Sequence, residues 1–200
     1  MRVLNVGGCN KQIPIPPHFA EYEHVLLDIE PNPEVDVVCD ARDMFDLPES
    51  GYDAIYCSHN LEHYHRHELP RVLKGFHHVL SDDGFVHIRV PNMKALFDVL
   101  VKSGADIEDV MYSSEAGDIK AIDMIYGLGS FVESSGNDFM CHKNGFTPKS
   151  LAQLLFDHGF EHIFIGTKSF DLTAFAFKKE PTAEQIKLLN LKHETIGEPA

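Results

Sequence analysis

The sequence predicts an α/β protein, a three-layer sandwich whose mostly parallel seven-stranded sheet includes a C-terminal antiparallel strand. Three observations lead there. Short apolar runs rich in β-branched residues recur along the chain, as expected of strands buried on both faces. Segments of helical period stand between several of them. The last two runs, "HIFIGTK" and "LTAFAFKK", follow each other too closely for a helix, which makes them a late hairpin.

The elements follow in order. "RVLNV" (2–6) is a short strand ending in two glycines, and "HVLLDIEP" (24–31) is a second that closes on Asp28. "DVVCDARD" (36–43) and "YDAIYC" (52–57) are the third and fourth. In "ELPRVLKGFHHVL" (68–80), Leu69, Val72, Leu73, Phe76, Val79 and Leu80 recur at helical spacing. "DDGFVHIRVPN" (82–92) turns into a fifth strand, and "MKALFDVLVKSG" (93–104) is a helix stopped by Gly104. In "TPKSLAQLLFDHGF" (147–160), Thr147 caps a helix, Pro148 occupies its first turn and Gly159 ends it. The intervening 105–147 region, rich in Gly, Ser and Met, reads as a substrate-side insertion in one domain spanning 1–180. From Pro181 the chain reads as one short helix and a frayed tail, 181–200.

Bulk properties narrow the function. The 200 residues suit one domain, and 44% apolar with 24% charged residues is the composition of a globular protein. A formal charge of -14, from 31 acidic against 17 basic side chains, disfavours nucleic acid or an anionic membrane surface as partner. No apolar run approaches the roughly 18 residues of a membrane span, so no membrane insertion is expected. The four cysteines form no C-x-x-C pair, and no secretory signal opens the chain, so the expectation is a cytoplasmic protein with reduced thiols.

In an open parallel sheet, ligands bind beyond the carboxyl ends of the strands. Four such ends carry polar or permissive residues. After the first strand, Asn5-Val6-Gly7-Gly8 lets backbone N–H groups approach a ligand. Asp28, at the second, suits the hydroxyls of a ribose, and Asp40-Ala41, at the third, suits the exocyclic amine of an adenine. The fourth runs into Ser58-His59-Asn60-Leu61-Glu62-His63-Tyr64-His65-Arg66-His67. A nicotinamide dinucleotide fits less well, because prolines stand where a G-x-G-x-x-G helix would begin.

"VLNVGG", "LLDIEP", "VVCDARD", "YDAIYCSHNLEHY" and "HVLSDDGFVHIRVPN", in this order and spacing, resemble the successive motifs of class I S-adenosylmethionine-dependent methyltransferases over residues 2–92. The likeness is nearest to a small bacterial subgroup with a shortened first crossover. It implies a Rossmann-like fold, S-adenosylmethionine as cofactor, and a small-molecule or glycan-like acceptor methylated on a hydroxyl. It also implies Gly7 and Gly8 beside the methionyl part, Asn5 among the cofactor-binding residues, and Asp28 on the ribose. Ile29 would pack on adenine, Asp40 and Ala41 flank it, and Ser58 and His59 lie beneath the sulfonium. Two departures stand out: Cys9 replaces a third glycine, and "NKQIPIPPHFAEYEH" leaves little room for the usual first helix. Lys11 is a candidate substitute for that helix at the cofactor's carboxylate.

The histidines supply the chemistry. A hydroxyl acceptor needs a base, and His59, His63 and His142 are the candidates. Glu62, Tyr126 and His142 are expected to meet the acceptor. The H-x-x-E-H spacing of His59, Glu62 and His63 also matches a zinc-hydrolase pattern, an alternative disfavoured because the segment directly follows a strand. A helix start with capping bonds is the preferred reading of Leu61-Glu62-His63, and no metal is assigned. A non-catalytic nucleoside-binding domain is the other alternative.

Overall fold

The computed structural model describes residues 1–114 and 117–191. Its main sheet contains β1 (Arg2–Val6), β2 (Glu23–Asp28), β3 (Val37–Val38), β4 (Tyr52–Ser58), β5 (Leu80–Pro91), β8 (His162–Lys168) and β9 (Asp171–Phe177). The strand order is β3-β2-β1-β4-β5-β9-β8, and β9 runs antiparallel to both of its neighbours. Order therefore reverses between β1 and β4, which opens the crevice beyond their carboxyl ends.

Alternation along the strands divides the core. Leu4, Val6, Ile55, Cys57, Val86 and Ile88 face one side, and Val3, Ala54, Tyr56, Phe85 and Phe177 the other. Helices α1 (Leu69–Val79) and α5 (Pro148–Phe156), with a 3-10 turn at Ala41–Asp46, cover the first side. The apolar stripe of α1, Leu69, Val72, Leu73, Phe76 and Val79, is at most 1% exposed. Each such side chain contributes about 1.5–3 kcal/mol of transfer free energy, so packing rather than propensity fixes this helix. The predicted caps hold: Thr147 and Ser150 form a reciprocal capping box on α5, and Gly104 ends α2 (Met93–Ser103) at a φ of +69°.

The second side is covered differently. The expected compressed crossover between β1 and β2 contains only a 3-10 turn at Pro17–Phe19. Phe19, 1% exposed, plugs an aromatic cluster with His18, Tyr22, Tyr56, Phe85 and His87. A short helix, α6 (Ala183–Leu188), follows β9, and Leu189 joins the same cluster. The frayed end expected beyond it, 192–200, lies outside the described residues.

Residues 105–147 are more ordered than their composition suggested. A hairpin of β6 (Val110–Ser114) and β7 (Gly117–Lys120) leads into α3 (Ala121–Tyr126) and α4 (Gly129–Ser135). Ile119, Ala121 and Met124 pack with Met93 and Leu96 of α2 as a separate small core over the carboxyl end of the sheet. That core seats the insertion above β5 and β9.

Candidate active site

At the first strand end glycine is required for a reason the sequence did not display. Gly7 has a φ of +71°, and a Cβ there would meet the Asn60 amide at 2.2 Å. A Cβ on Gly8 would meet the Asn5 amide at 2.2 Å. Two asparagine side chains therefore occupy the space the glycines leave open. Asn5 is 4% exposed and turns to His24, Nδ2 to Nε2 at 3.1 Å, so it supports the turn from beneath. Cys9 has a φ of +61°, the conformation that a glycine would adopt at lower cost. Its N–H donates to Asp28 Oδ2 at 3.0 Å, joining the first strand end to the second.

Asp28 is half-buried at the end of β2 and also accepts from the Glu30 N–H at 3.0 Å. Ile29 beside it is 39% exposed, and Ala41 is buried. Two expectations change. The Asp40 carboxylate does not stand free at the third strand end. It accepts from the Arg42 N–H at 2.9 Å and from the Arg42 Nε through both oxygens at 3.0 Å. Burial opposes its ionisation, but the Arg42 bonds outweigh this and lower its pKa. Lys11 is likewise engaged, its ammonium 2.6 Å from Asp36 Oδ2.

Beyond β4 the chain takes a left-handed step at His59, φ +49°, whose N–H bonds to the Arg89 carbonyl at 2.8 Å. The step aims the His59 ring between two carboxylates. Nδ1 lies 3.3 Å from Glu62 Oε1, and Nε2 lies 3.4 Å from Asp171 Oδ1. Desolvation works against the cation, yet Asp171 and Glu62 outweigh it and raise its pKa to about 9. His59 is thus an imidazolium at neutral pH, an N–H donor rather than the base expected of it. Arg89 completes the cluster through Asp171, with Nε at 3.1 Å. Sequence reasoning missed Arg89 and Asp171. A lone basic side chain inside the apolar "FVHIRVP" run and an aspartate opening "DLTAFAF" were the available signals.

Leu61–His63 forms a 3-10 turn with no side-chain cap, so the capping reading of Glu62 does not hold. The Glu62 side chain is 1% exposed. Its carbonyl accepts from the N–H groups of Lys143 at 2.7 Å and Asn144 at 3.1 Å, which draws in the segment carrying His142. The His63 and His142 rings meet edge-on, centroids 5.1 Å apart. His63 Nδ1 bonds the Cys141 carbonyl at 3.2 Å and His142 Nδ1 the Met124 carbonyl at 3.0 Å. Carbonyls only accept, so each Nδ1 carries a hydrogen, and the neutral form of each ring has its lone pair on Nε2. Burial lowers the pKa of His142, keeping it neutral.

A cavity of about 560 Å³ opens beside these groups, beyond the carboxyl end of β5 and under the insertion. His59, Arg89, Tyr112, His142, Phe170 and Asp171 are among its lining. Tyr126, expected there, is 63% exposed and stands outside the lining; its backbone carbonyl instead holds the His142 N–H at 3.0 Å.

A seven-stranded sheet of this order, with its one antiparallel strand and flanking helices, is the Rossmann-like fold of methyltransferases. Residues 17–88 match the family model of a methyltransferase domain. No curated protein matches it in sequence. Among solved structures it is similar to a SAM-dependent methyltransferase from Archaeoglobus fulgidus, at 17% identity and a TM-score of 0.52, covering 88% of this chain and 85% of that one. It is also similar to the 1,6-didemethyltoxoflavin-N1-methyltransferase of Burkholderia thailandensis, whose structure holds 1,6-didemethyltoxoflavin and S-adenosylhomocysteine. Identity there is 18% and the TM-score 0.53, covering 89% of this chain and 71% of that one. The PH0226 protein of Pyrococcus horikoshii aligns with a TM-score of 0.57 at 14% identity, covering 89% and 82%. At the carboxyl ends of β1 and β2 stand the Gly7 turn, packed against the Asn60 amide, and the half-buried Asp28 carboxylate. Among the described residues, no helix is long and apolar enough to cross a membrane.

Proposed function

We propose that the chain methylates a hydroxyl of a small-molecule or glycan-like acceptor held in the cavity beneath the insertion. One observation carries this reading: His59 stands at the end of β4, on the cofactor edge, and also lines the cavity. A side chain common to both compartments is where methyl donor and acceptor would meet. In this reading Asp28 receives the ribose hydroxyls, and Gly7 and Gly8 pass beside the methionyl part. Ile29 and Ala41 flank the adenine, and Ser58 and His59 underlie the sulfonium. Asn5 and Asp40 act from behind, Asn5 by supporting Gly8 and Asp40 by fixing the Arg42 turn.

Bound S-adenosylmethionine supplies an activated methyl group whose C–S bond breaks as the C–O bond forms. The chain's own task is to place the hydroxyl in line and exclude water. The hydroxyl proton must leave in the same step, and the free lone pairs of His63 and His142 can receive it. His59, held as a cation by Glu62 and Asp171, sets a positive charge beside the acceptor. Tyr112 and Phe170 stack with centroids 5.8 Å apart and offer an apolar wall, while Arg89 and Asp171 offer polar ends. That mixture suits a ring bearing hydroxyls. The small ligand bound by the Burkholderia enzyme is in keeping with an acceptor of this size.

Calorimetry with S-adenosylhomocysteine tests the cofactor side. Loss of charged hydrogen bonds worth about 1.5–3 kcal/mol predicts roughly 10- to 150-fold weaker binding for Asp28→Ala. No binding by the wild type would refute the reading. Methylated product from amine acceptors alone, across a panel of amines and alcohols, would refute the hydroxyl assignment.

A further inference from the structure

Glu62 is the least explained side chain in the molecule. It is 1% exposed, and neither carboxylate oxygen has an aligned hydrogen bond among the described residues. His59 approaches one oxygen at 3.3 Å from a ring that is shared with Asp171. The His59 imidazolium attends Oε1 alone, so Oε2 is buried and open to a second cation among the described residues. One donor atom from each of Glu62, His63 and His142 lies within 4.8 Å of the other two. An ion with bonds of about 2.1 Å in tetrahedral geometry spaces its donors about 3.4 Å apart, so small side-chain rotations bring all three into range.

Both imidazoles are already set for this task. Their Nδ1 hydrogens are held by the Cys141 and Met124 carbonyls, the outer bond that fixes a ligating histidine's tautomer and orientation. The donors come from separate parts of the chain. The 3-10 turn after β4 supplies two, and the segment before α5 supplies one, secured by the bonds of the Lys143 and Asn144 N–H groups to the Glu62 carbonyl.

We propose that Glu62, His63 and His142 bind one divalent transition-metal ion of the zinc type, with an open position toward the acceptor cavity. Two imidazoles and one carboxylate are the donor set that such ions favour, and His142 itself lines the cavity. With their lone pairs on the ion, His63 and His142 would no longer take the proton themselves; an acceptor hydroxyl in the open position would lose it more readily to water at the cavity mouth, and its oxygen would then attack the methyl. This use of the site rests on the methyl-transfer reading; binding of the ion does not.

Cobalt(II) titration of the chelator-treated full chain, followed by visible d–d absorption, tests the site. One equivalent should bind to the wild type, and His142→Ala and Glu62→Gln should abolish the band while leaving the far-UV circular dichroism unchanged. Zinc should raise the thermal midpoint of the wild type and not that of either variant. Failure to bind a stoichiometric ion, binding undiminished in both variants, or intense sulfur-to-cobalt charge transfer indicating cysteine ligands would each overturn the proposal. S-adenosylhomocysteine calorimetry on the same samples reports on methyl transfer separately, since cofactor binding can fail while the ion still binds.

Discussion

Replacing His87 with phenylalanine should flatten the loss of stability that acid causes in this protein. His87 lies on β5, 5% exposed, with rings of His18, Phe19, Tyr56 and Phe175 around it. Among the described residues, its Nδ1 is buried without a hydrogen-bond partner. Desolvation first, then the nearby His18 and Arg89, lower its pKa to about 3, with Asp171 opposing weakly. The folded value is depressed below the unfolded value of about 6.5, so the stability it confers is complete above pH 6.5 and declines as pH falls toward 3. In that interval the unfolded chain binds one more proton than the native one, which costs about 1.4 kcal/mol per pH unit. Between pH 6.5 and 4.5 the loss from this group is therefore about 2–3 kcal/mol. Burial lowers the pKa of His18 as well, which adds a slope of the same sign that the variant retains. Urea unfolding at half-unit steps of pH measures the difference directly. The wild-type and His87→Phe curves should diverge by that amount as pH falls. Parallel curves would refute the reasoning, since they would mean that His87 takes up its proton equally in both states.

Two further substitutions probe local features. Gly8→Ala drives a Cβ into the Asn5 amide and within 2.7 Å of Leu26 Cδ1, so it should cost about 1–3 kcal/mol in denaturant unfolding, through the lost Asn5–His24 bond. Thr147→Ala removes one half of the capping box on α5 and should cost about 0.5–2 kcal/mol, with the midpoint shifted and the m-value unchanged.

The sheet was legible because its signals are local. Apolar runs of the right length, Pro148 after Thr147, and Gly104 after an amphipathic stretch each fix an element through a few neighbouring residues. The missing first helix was legible too, from prolines that forbid it. The candidate site was half legible, for the same reason. His59, Glu62 and His63 share one short stretch, and their residue types advertise chemistry. Asp171 and Arg89 do not, because they are 82 positions apart in the chain and meet only when β9 pairs with β5. The conversion of His59 from expected base to cation follows from that pairing, which no spacing reveals. Tyr126 failed as a lining residue because only the rotation of α3 decides which way a phenol on that helix points. Gly7 and Gly8 were singled out for the ligand's sake, while the asparagines that demand them, Asn60 and Asn5, reach them only in three dimensions.

The proline crossover gives the two sides of the sheet unequal roles in opening. On the helical side, detaching α1 or α5 breaks a whole apolar stripe and approaches global unfolding. On the other side Phe19 and Leu189 close the cluster, Phe19 carried by a segment whose backbone Pro14, Pro16 and Pro17 already restrict. That segment follows the Gly7 turn, with eleven residues between Gly7 and Phe19. Amide exchange along β1 and β4 therefore reports how often this cover opens over Val3, Ala54 and Tyr56, separately from the helical side.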